Sequence, residues 1–252
     1  MFNNPFETKK DQRAKLSLDL SLLPVDNEWE LKFQELMKDE YLSKKYNREK
    51  RINDHLDYLK NLCPIVFHSE NINKALNVID IGPGPGELLE ITRCLGYNSV
   101  GFDAKLEDCE MGVPYISLSK MMSSRQNLDI RYTGFENTIN HMPFKENSTL
   151  LINSRGSIEQ VFKDHLKGVP HREHHNARLL TWSMSKEMLS DFTSLFMEAK
   201  RILVSGGVFL IHGNGATNID DYHNMIMKIV ESTEGLICDA SDGQTLHRLR
   251  KL

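Results

Sequence analysis

The sequence predicts an α/β protein built on a mostly parallel sheet. Three observations point there. From residue 77 onward, short apolar runs alternate with longer stretches of helical spacing. The first apolar run is joined to the first of these helices by a glycine-rich turn, Gly82-Pro83-Gly84-Pro85-Gly86. The last two runs, GLICDA and TLHRLRK, flank a loop containing Asp242-Gly243, which implies an antiparallel strand at one edge.

In chain order, Trp29, Phe33, Leu36 and Met37 recur at helical spacing, as do Ile52, Leu56 and Leu59. Residues 1–74 therefore read as an N-terminal helical extension of two or three helices after a polar start, closed by Pro64 and the polar stretch at 68–76. NVIDI (77–81) is the first strand. ELLEITRCLG follows as a helix ending at Gly96, a residue suited to a C-cap. NSVGFDA (98–104), LDIRY (128–132) and TLLINS (149–154) are strands two to four. Leu189 to Val204 is a helix, Gly206-Gly207 a turn, VFLIHGN (208–214) the fifth strand and Asp220 to Ser232 a helix. Right-handed crossovers place helices on both faces. Ligands of such sheets sit at the carboxyl ends of the strands.

The 252 residues carry a formal net charge of -4, with 40% hydrophobic and 26% charged residues, which excludes a disordered chain or a small disulfide scaffold. No run approaches the roughly 18 apolar residues of a membrane helix, and no secretory signal is visible, so a cytoplasmic protein is expected. Residues 1–74 balance 13 basic against 13 acidic side chains, while 75–252 hold 18 and 22. The densest basic segment, Lys38 to Arg51, reads as a solvated helix face, and nucleic acid is disfavoured as a partner. The four cysteines, at 63, 94, 109 and 238, show no CxxC spacing and read as reduced thiols, mostly buried.

The glycine turn reads Asp80-Ile81-Gly82-Pro83-Gly84-Pro85-Gly86-Glu87. The dinucleotide pattern GxGxxG fails in both registers, since Glu87 and Leu89 occupy the third glycine position, and no Gly-Lys-Ser/Thr follows. An acidic residue at a helix start also opposes a pyrophosphate there. The pattern DxGxGxGE resembles that of class I S-adenosylmethionine-dependent methyltransferases, and the resemblance covers 75–252. MPFKENSTLLINS resembles the family's segment leading into strand four, and MEAKRILVSGGVFLI its helix, turn and strand five. The resemblance implies a Rossmann-like, mostly parallel seven-stranded sheet with an antiparallel edge strand. It implies S-adenosylmethionine as cofactor and S-adenosylhomocysteine as product. Asp80, Gly82, Gly84, Gly86 and Glu87 would line the methionine end. Asp103 and Ala104, closing strand two, would meet the ribose. Glu136, beside Phe135, would meet the adenine, and Asn153 would line the cofactor and acceptor. Ser148 or Thr149 stands where the family often has Asp on strand four. A DPPY-type tetrapeptide and a Pro-Cys nucleophile at the end of strand four are both absent.

For the acceptor, strand four ends in NSRGSIEQ. Arg155 there could clamp an anionic group, and Glu159 could act as base. The segment 164–182 is longer than a crossover needs and suggests a substrate lid spanning 160–186. Its His171, His174 and His175 form HxxHH, which is neither HExxH nor HxxEH, and no metal is assigned. His174 and His175 are equal candidates for the general base, with His212 second and Asn214 as a substrate contact. The expected partner is a polar small molecule, with a sugar or glycan favoured, acted on by a monomer or homodimer. The alternatives are an RNA or protein methyltransferase, or a non-catalytic binding module of the same fold.

Overall fold

The computed structural model describes residues 47–68, 75–103, 128–132, 141–158, 186–213, 219–243 and 245–252, with positions 31, 35, 38 and 71 besides. Seven strands form one sheet: β1 (Asn77–Ile81), β2 (Asn98–Asp103), β3 (Asp129–Tyr132), β4 (Thr149–Arg155), β5 (Leu203–His212), β6 (Leu236–Ser241) and β7 (Leu246–Lys251). Their order is β3-β2-β1-β4-β5-β7-β6. The pairings from β3 to β5 are parallel, and β7 runs antiparallel between β5 and β6. This is the seven-stranded Rossmann-like sheet that the resemblance implies, with its antiparallel strand at the β5 side.

The helices are α1 (Arg48–Leu62), α2 (Glu87–Cys94), α3 (Lys186–Ile202) and α4 (Ile219–Ser232). Asn47 caps α1, its side-chain oxygen accepting from Lys50 N at 2.9 Å. Pro64 then opens a single 3-10 turn, Pro64–Phe67. Gly96, with φ 94°, ends α2 as expected. Its N–H bonds to Arg93 O and that of Tyr97 to Thr92 O, the paired pattern of a Schellman cap.

Alternation along the strands splits the core in two. One face carries Val78, Leu151, Val208 and Leu210 against Ile52, Leu59 and Leu62 of α1 and Leu88 and Ile91 of α2. The other carries Ile79, Ile81, Phe102, Ile152, Phe209 and Ile211 against Phe192, Phe196 and Ala199 of α3 and Met225, Ile226 and Ile229 of α4. On that second face His247 is fully buried and shares a hydrogen bond with His223 at 2.9 Å. Burial, and then the neighbouring His223, lower its pKa to about 4, so it stays neutral.

Two segments differ from the sequence expectation. Gly206-Gly207 is not a turn ahead of β5 but lies inside it. Thr149 pairs with Leu203 and Leu151 with Val208, so the extra residues bulge between them. Glycine is needed at 207 because a Cβ would stand 2.9 Å from Val204 O and 3.1 Å from Thr149 O. The cysteines are also less buried than expected: Cys63 is buried, Cys238 intermediate and Cys94 exposed, while Cys109 lies outside the described residues. Burial pushes the Cys63 thiol up to about 12, which leaves it inert.

The segment before β4 is tied to α3 by one acidic side chain. Glu198 accepts from Met142 N at 2.7 Å and pairs with Arg201, which also donates to Met142 O. Burial alone would raise the Glu198 pKa, but Arg201 and the Met142 N–H outweigh it and hold the carboxyl low. Among the described residues no helix is long and apolar enough to cross a membrane.

Leu59 is 0% exposed and packs α1 onto the sheet. Leu59→Ala is expected to cost about 2–5 kcal/mol in urea unfolding, the range for a buried leucine. A loss below about 1 kcal/mol would mean that α1 is only loosely docked.

Candidate functional site

The glycine loop follows β1 and runs into α2. Gly82, Gly84 and Gly86 all have positive φ, at 72°, 53° and 92°. At Gly82 the requirement is double, since a Cβ would also run into the Ser157 side chain. The loop is held by Gly82 N donating to Phe102 O at 2.7 Å and Gly86 N to Pro83 O at 3.0 Å. Main chain is thereby laid open at the carboxyl ends of β1 and β2, where Asp103 ends β2, half-buried.

Asp80 lies one residue before the end of β1 and is 4% exposed. In the register it stands beside Asn153 of β4 and Gly101 of β2, so these point to the same face. Asn153 Nδ2 donates to Asp80 Oδ1 at 2.7 Å. Burial raises the Asp80 pKa to about 7; the Asn153 bond opposes this, and the charges of Asp103 and Glu87 add to it.

The same face is roofed by α1. Arg51, His55 and Tyr58 fall at i, i+4 and i+7 and so share one side of the helix. Arg51 Nε donates to Glu87 Oε1 at 2.6 Å, and the Glu87 side chain is 1% exposed. His55 Nδ1 lies 2.8 Å from Arg51 O, and burial lowers its pKa. Tyr58 OH donates to Asn153 Oδ1 at 3.1 Å. The Tyr58 ring stacks on His212 at 5.9 Å and 8°, and the Arg155 guanidinium lies over it at 5.3 Å. Arg155 and His212 are register partners at the ends of β4 and β5.

The structure thus gathers Asp80, Gly82, Gly84, Gly86, Glu87, Asp103, Asn153, Arg155 and His212 at one end of the sheet. Glu87 is turned to Arg51. Ala104, Glu136, Glu159, His174, His175 and Asn214 lie outside the described residues, as does the segment 160–185 of the expected lid. Sequence reading missed Arg51, His55 and Tyr58. Their helical spacing beside the apolar stripe of Ile52, Leu56 and Leu59 was the available signal. Of the basic segment Lys38–Arg51, Lys38 and Lys50 are exposed as expected, but Arg51 turns inward. A hollow of about 610 Å³ lies at the opposite end, lined by Asn147, Glu198, Arg201 and Lys251. Those side chains serve the fold, Lys251 bonding Asn147 and Leu203 O.

No family model matches the sequence, and no curated protein matches it. Among solved structures the chain is similar to a TehB-like SAM-dependent methyltransferase from Corynebacterium glutamicum, at 11% identity and TM-score 0.42, over 81% of this chain and 98% of that one. It is similar to the PH0226 protein from Pyrococcus horikoshii, at 11% and 0.46, over 85% and 99%. It is also similar to TrmN from Thermus thermophilus, at 12% and 0.39, over 71% of this chain and 44% of that one.

Asp80 sets a pH dependence whose sign is fixed. Its folded pKa, about 7, lies above the ordinary value of 3.8. Folding therefore favours the protonated acid, and stability falls as pH rises from about 4 to about 7. Asp80→Asn should remove a penalty on the order of 3–4 kcal/mol at pH 8, raising Tm by several degrees. At pH values below about 4 the variant and the parent should melt alike. An equal Tm at pH 8 would show that the carboxyl is not strained by burial.

Proposed function

We propose that the chain is an S-adenosylmethionine-dependent methyltransferase acting at an oxygen or nitrogen of a polar small molecule. The observation that carries this reading is the sign of the charge around the glycine loop. Asp80, Glu87 and Asp103 stand close enough for the latter two to raise the pKa of the first. Arg51 is engaged by Glu87. A pyrophosphate at this loop would meet carboxylates, whereas a cationic ligand would find partners.

The residues present fit that cofactor. Gly82, Gly84 and Gly86 would admit its amino-acid end against main chain, with Asp80 offering a negative charge. Asp103 would accept two hydrogen bonds from the ribose diol, a charge-assisted pairing. Ala104 and Glu136 are proposed for the adenosine end, and Asn153 for the boundary between cofactor and acceptor. When bound, the cofactor supplies an electrophilic methyl group on a sulfonium. The chain's task is then to align the acceptor and take its proton. Alignment alone is worth about 7–11 kcal/mol in favourable cases.

The acceptor is assigned to the ends of β4 and β5. Arg155, set over Tyr58, would hold a carboxylate or phosphate of the acceptor, and Asn214 a hydroxyl. His174 and His175 are the proposed bases, with His212 and Glu159 behind them. Such polar surroundings suit a sugar, nucleotide-sugar or glycan better than a lipid. In this reading residues 1–74 are a cap over a methyltransferase domain at 75–252, and 160–186 is its lid.

Calorimetric titration with S-adenosylhomocysteine tests the cofactor. Micromolar binding at one site per chain is expected, and Asp103→Ala should abolish it without altering thermal unfolding. Unchanged affinity in that variant would remove the diol role. His174→Ala and His175→Ala should each lower turnover about 10²–10⁴-fold if the residue is the base, leaving cofactor affinity intact. Full turnover in both would move the base to His212 or Glu159.

A further inference from the structure

The hydrogen bonds joining α1, β4 and β1 have a fixed direction. Asn153 Oδ1 is a carbonyl oxygen and can only accept, so Tyr58 OH must be the donor at 3.1 Å. With Oδ1 engaged, the amide turns its NH2 to Asp80, 2.7 Å away. A fixed donor at that distance favours the ionised carboxylate. Were the amide reversed, its oxygen would face Asp80 and favour the protonated acid instead. A phenol is a stronger donor than acceptor, so the Tyr58 bond favours the first arrangement over the second.

Tyr58 is built to hold this post. Tyr58 is 9% exposed, with the Arg155 guanidinium 5.3 Å from its ring centre and the His212 ring stacked at 5.9 Å. Burial pushes its ionisation far above the ordinary value, so it remains a donor throughout the neutral range. The charged groups facing Asp80 from the other elements are Asp103 of β2, Glu87 of α2 and Arg155 of β4. The two carboxylates oppose ionisation of Asp80 and the Arg155 charge favours it, while the Asn153 amide donates to it directly.

We propose that Tyr58 is a positioning residue of the cofactor site, orienting Asn153 so that its amide favours the carboxylate form of Asp80 for a cationic ligand. The N-terminal helix thereby becomes part of the site it covers. This assignment rests on the cofactor reading given above.

The test is calorimetric titration of the full chain with S-adenosylhomocysteine, whose ammonium is the cation, from about pH 5.5 to about pH 8.5, a window that spans the Asp80 titration. Affinity of the parent protein should rise with pH and then level. Tyr58→Phe keeps the ring and should move that midpoint upward by about 0.5–1 unit, the worth of one hydrogen bond. Binding would then be about 3–10-fold weaker near pH 6.5 and within about twofold at the top of the window. Asn153→Ala should shift the profile in the same direction, and the double variant should move no further than Asn153→Ala alone. That variant also carries the test if Tyr58→Phe fails to fold, as judged by circular dichroism. An unshifted profile, a loss equal at every pH, or additive effects in the double variant would overturn the role of Tyr58 while leaving the cofactor reading intact. Absence of binding by the folded parent at every pH would overturn both.

Discussion

A carboxyl group buried in the middle of a sheet governs the whole carboxyl edge of this molecule. Asp80 sits where an apolar residue would stabilise the fold, on a strand whose other residues are also buried. Its desolvation is only partly offset by the Asn153 amide. The fold tolerates that cost because β1 is flanked by β2 and β4, and both faces are sealed by apolar side chains. Asn153 answers to the same constraint, held between Asp80 of β1 and Tyr58 of α1.

The strands were legible because each is short, apolar and bounded by turn residues, and it is this shortness, more than alternation, that separates buried runs such as NVIDI from the helices. The antiparallel closing pair was legible from Asp242-Gly243 between two strand-like runs. What escaped was whatever depends on a neighbour distant in sequence. The bulge at Gly206-Gly207 exists because two extended strands must stay paired around surplus residues, and nothing local to the two glycines distinguishes that from a turn. Arg51, His55 and Tyr58 are an ordinary polar stripe until one knows that the ends of β1, β4 and β5 lie beneath them. Glu87 was placed correctly at the helix start, but its partner 36 residues earlier was invisible.

Motif residues also divide by role once the contacts are seen. Gly82, Gly86 and Asp80 stand at the carboxyl end of β1, with Asp80 4% exposed beneath α1. Glu198 and Arg201 belong to a segment that resembles the family just as well, yet they sit at the other end and clamp Met142 to α3. Their charge is used internally: a part-buried ion pair supplying two backbone bonds. A shared pattern therefore holds one pair of residues that fastens α3 to the segment before β4 and another group gathered at the opposite end of the sheet.

The position of β7 bears on how the molecule is made. It is the last strand in chain order, yet it enters between β5 and β6, and its Arg248 donates to Leu62 O at the end of α1. While a nascent chain is still leaving the ribosome, β5 must wait with an unpaired edge, a configuration prone to joining other chains. The helix bearing Tyr58 gains its far anchor 186 residues after its own synthesis. Closure of the sheet and the far anchoring of α1 thus wait on the same late, long-range event, and slow folding is the physical consequence.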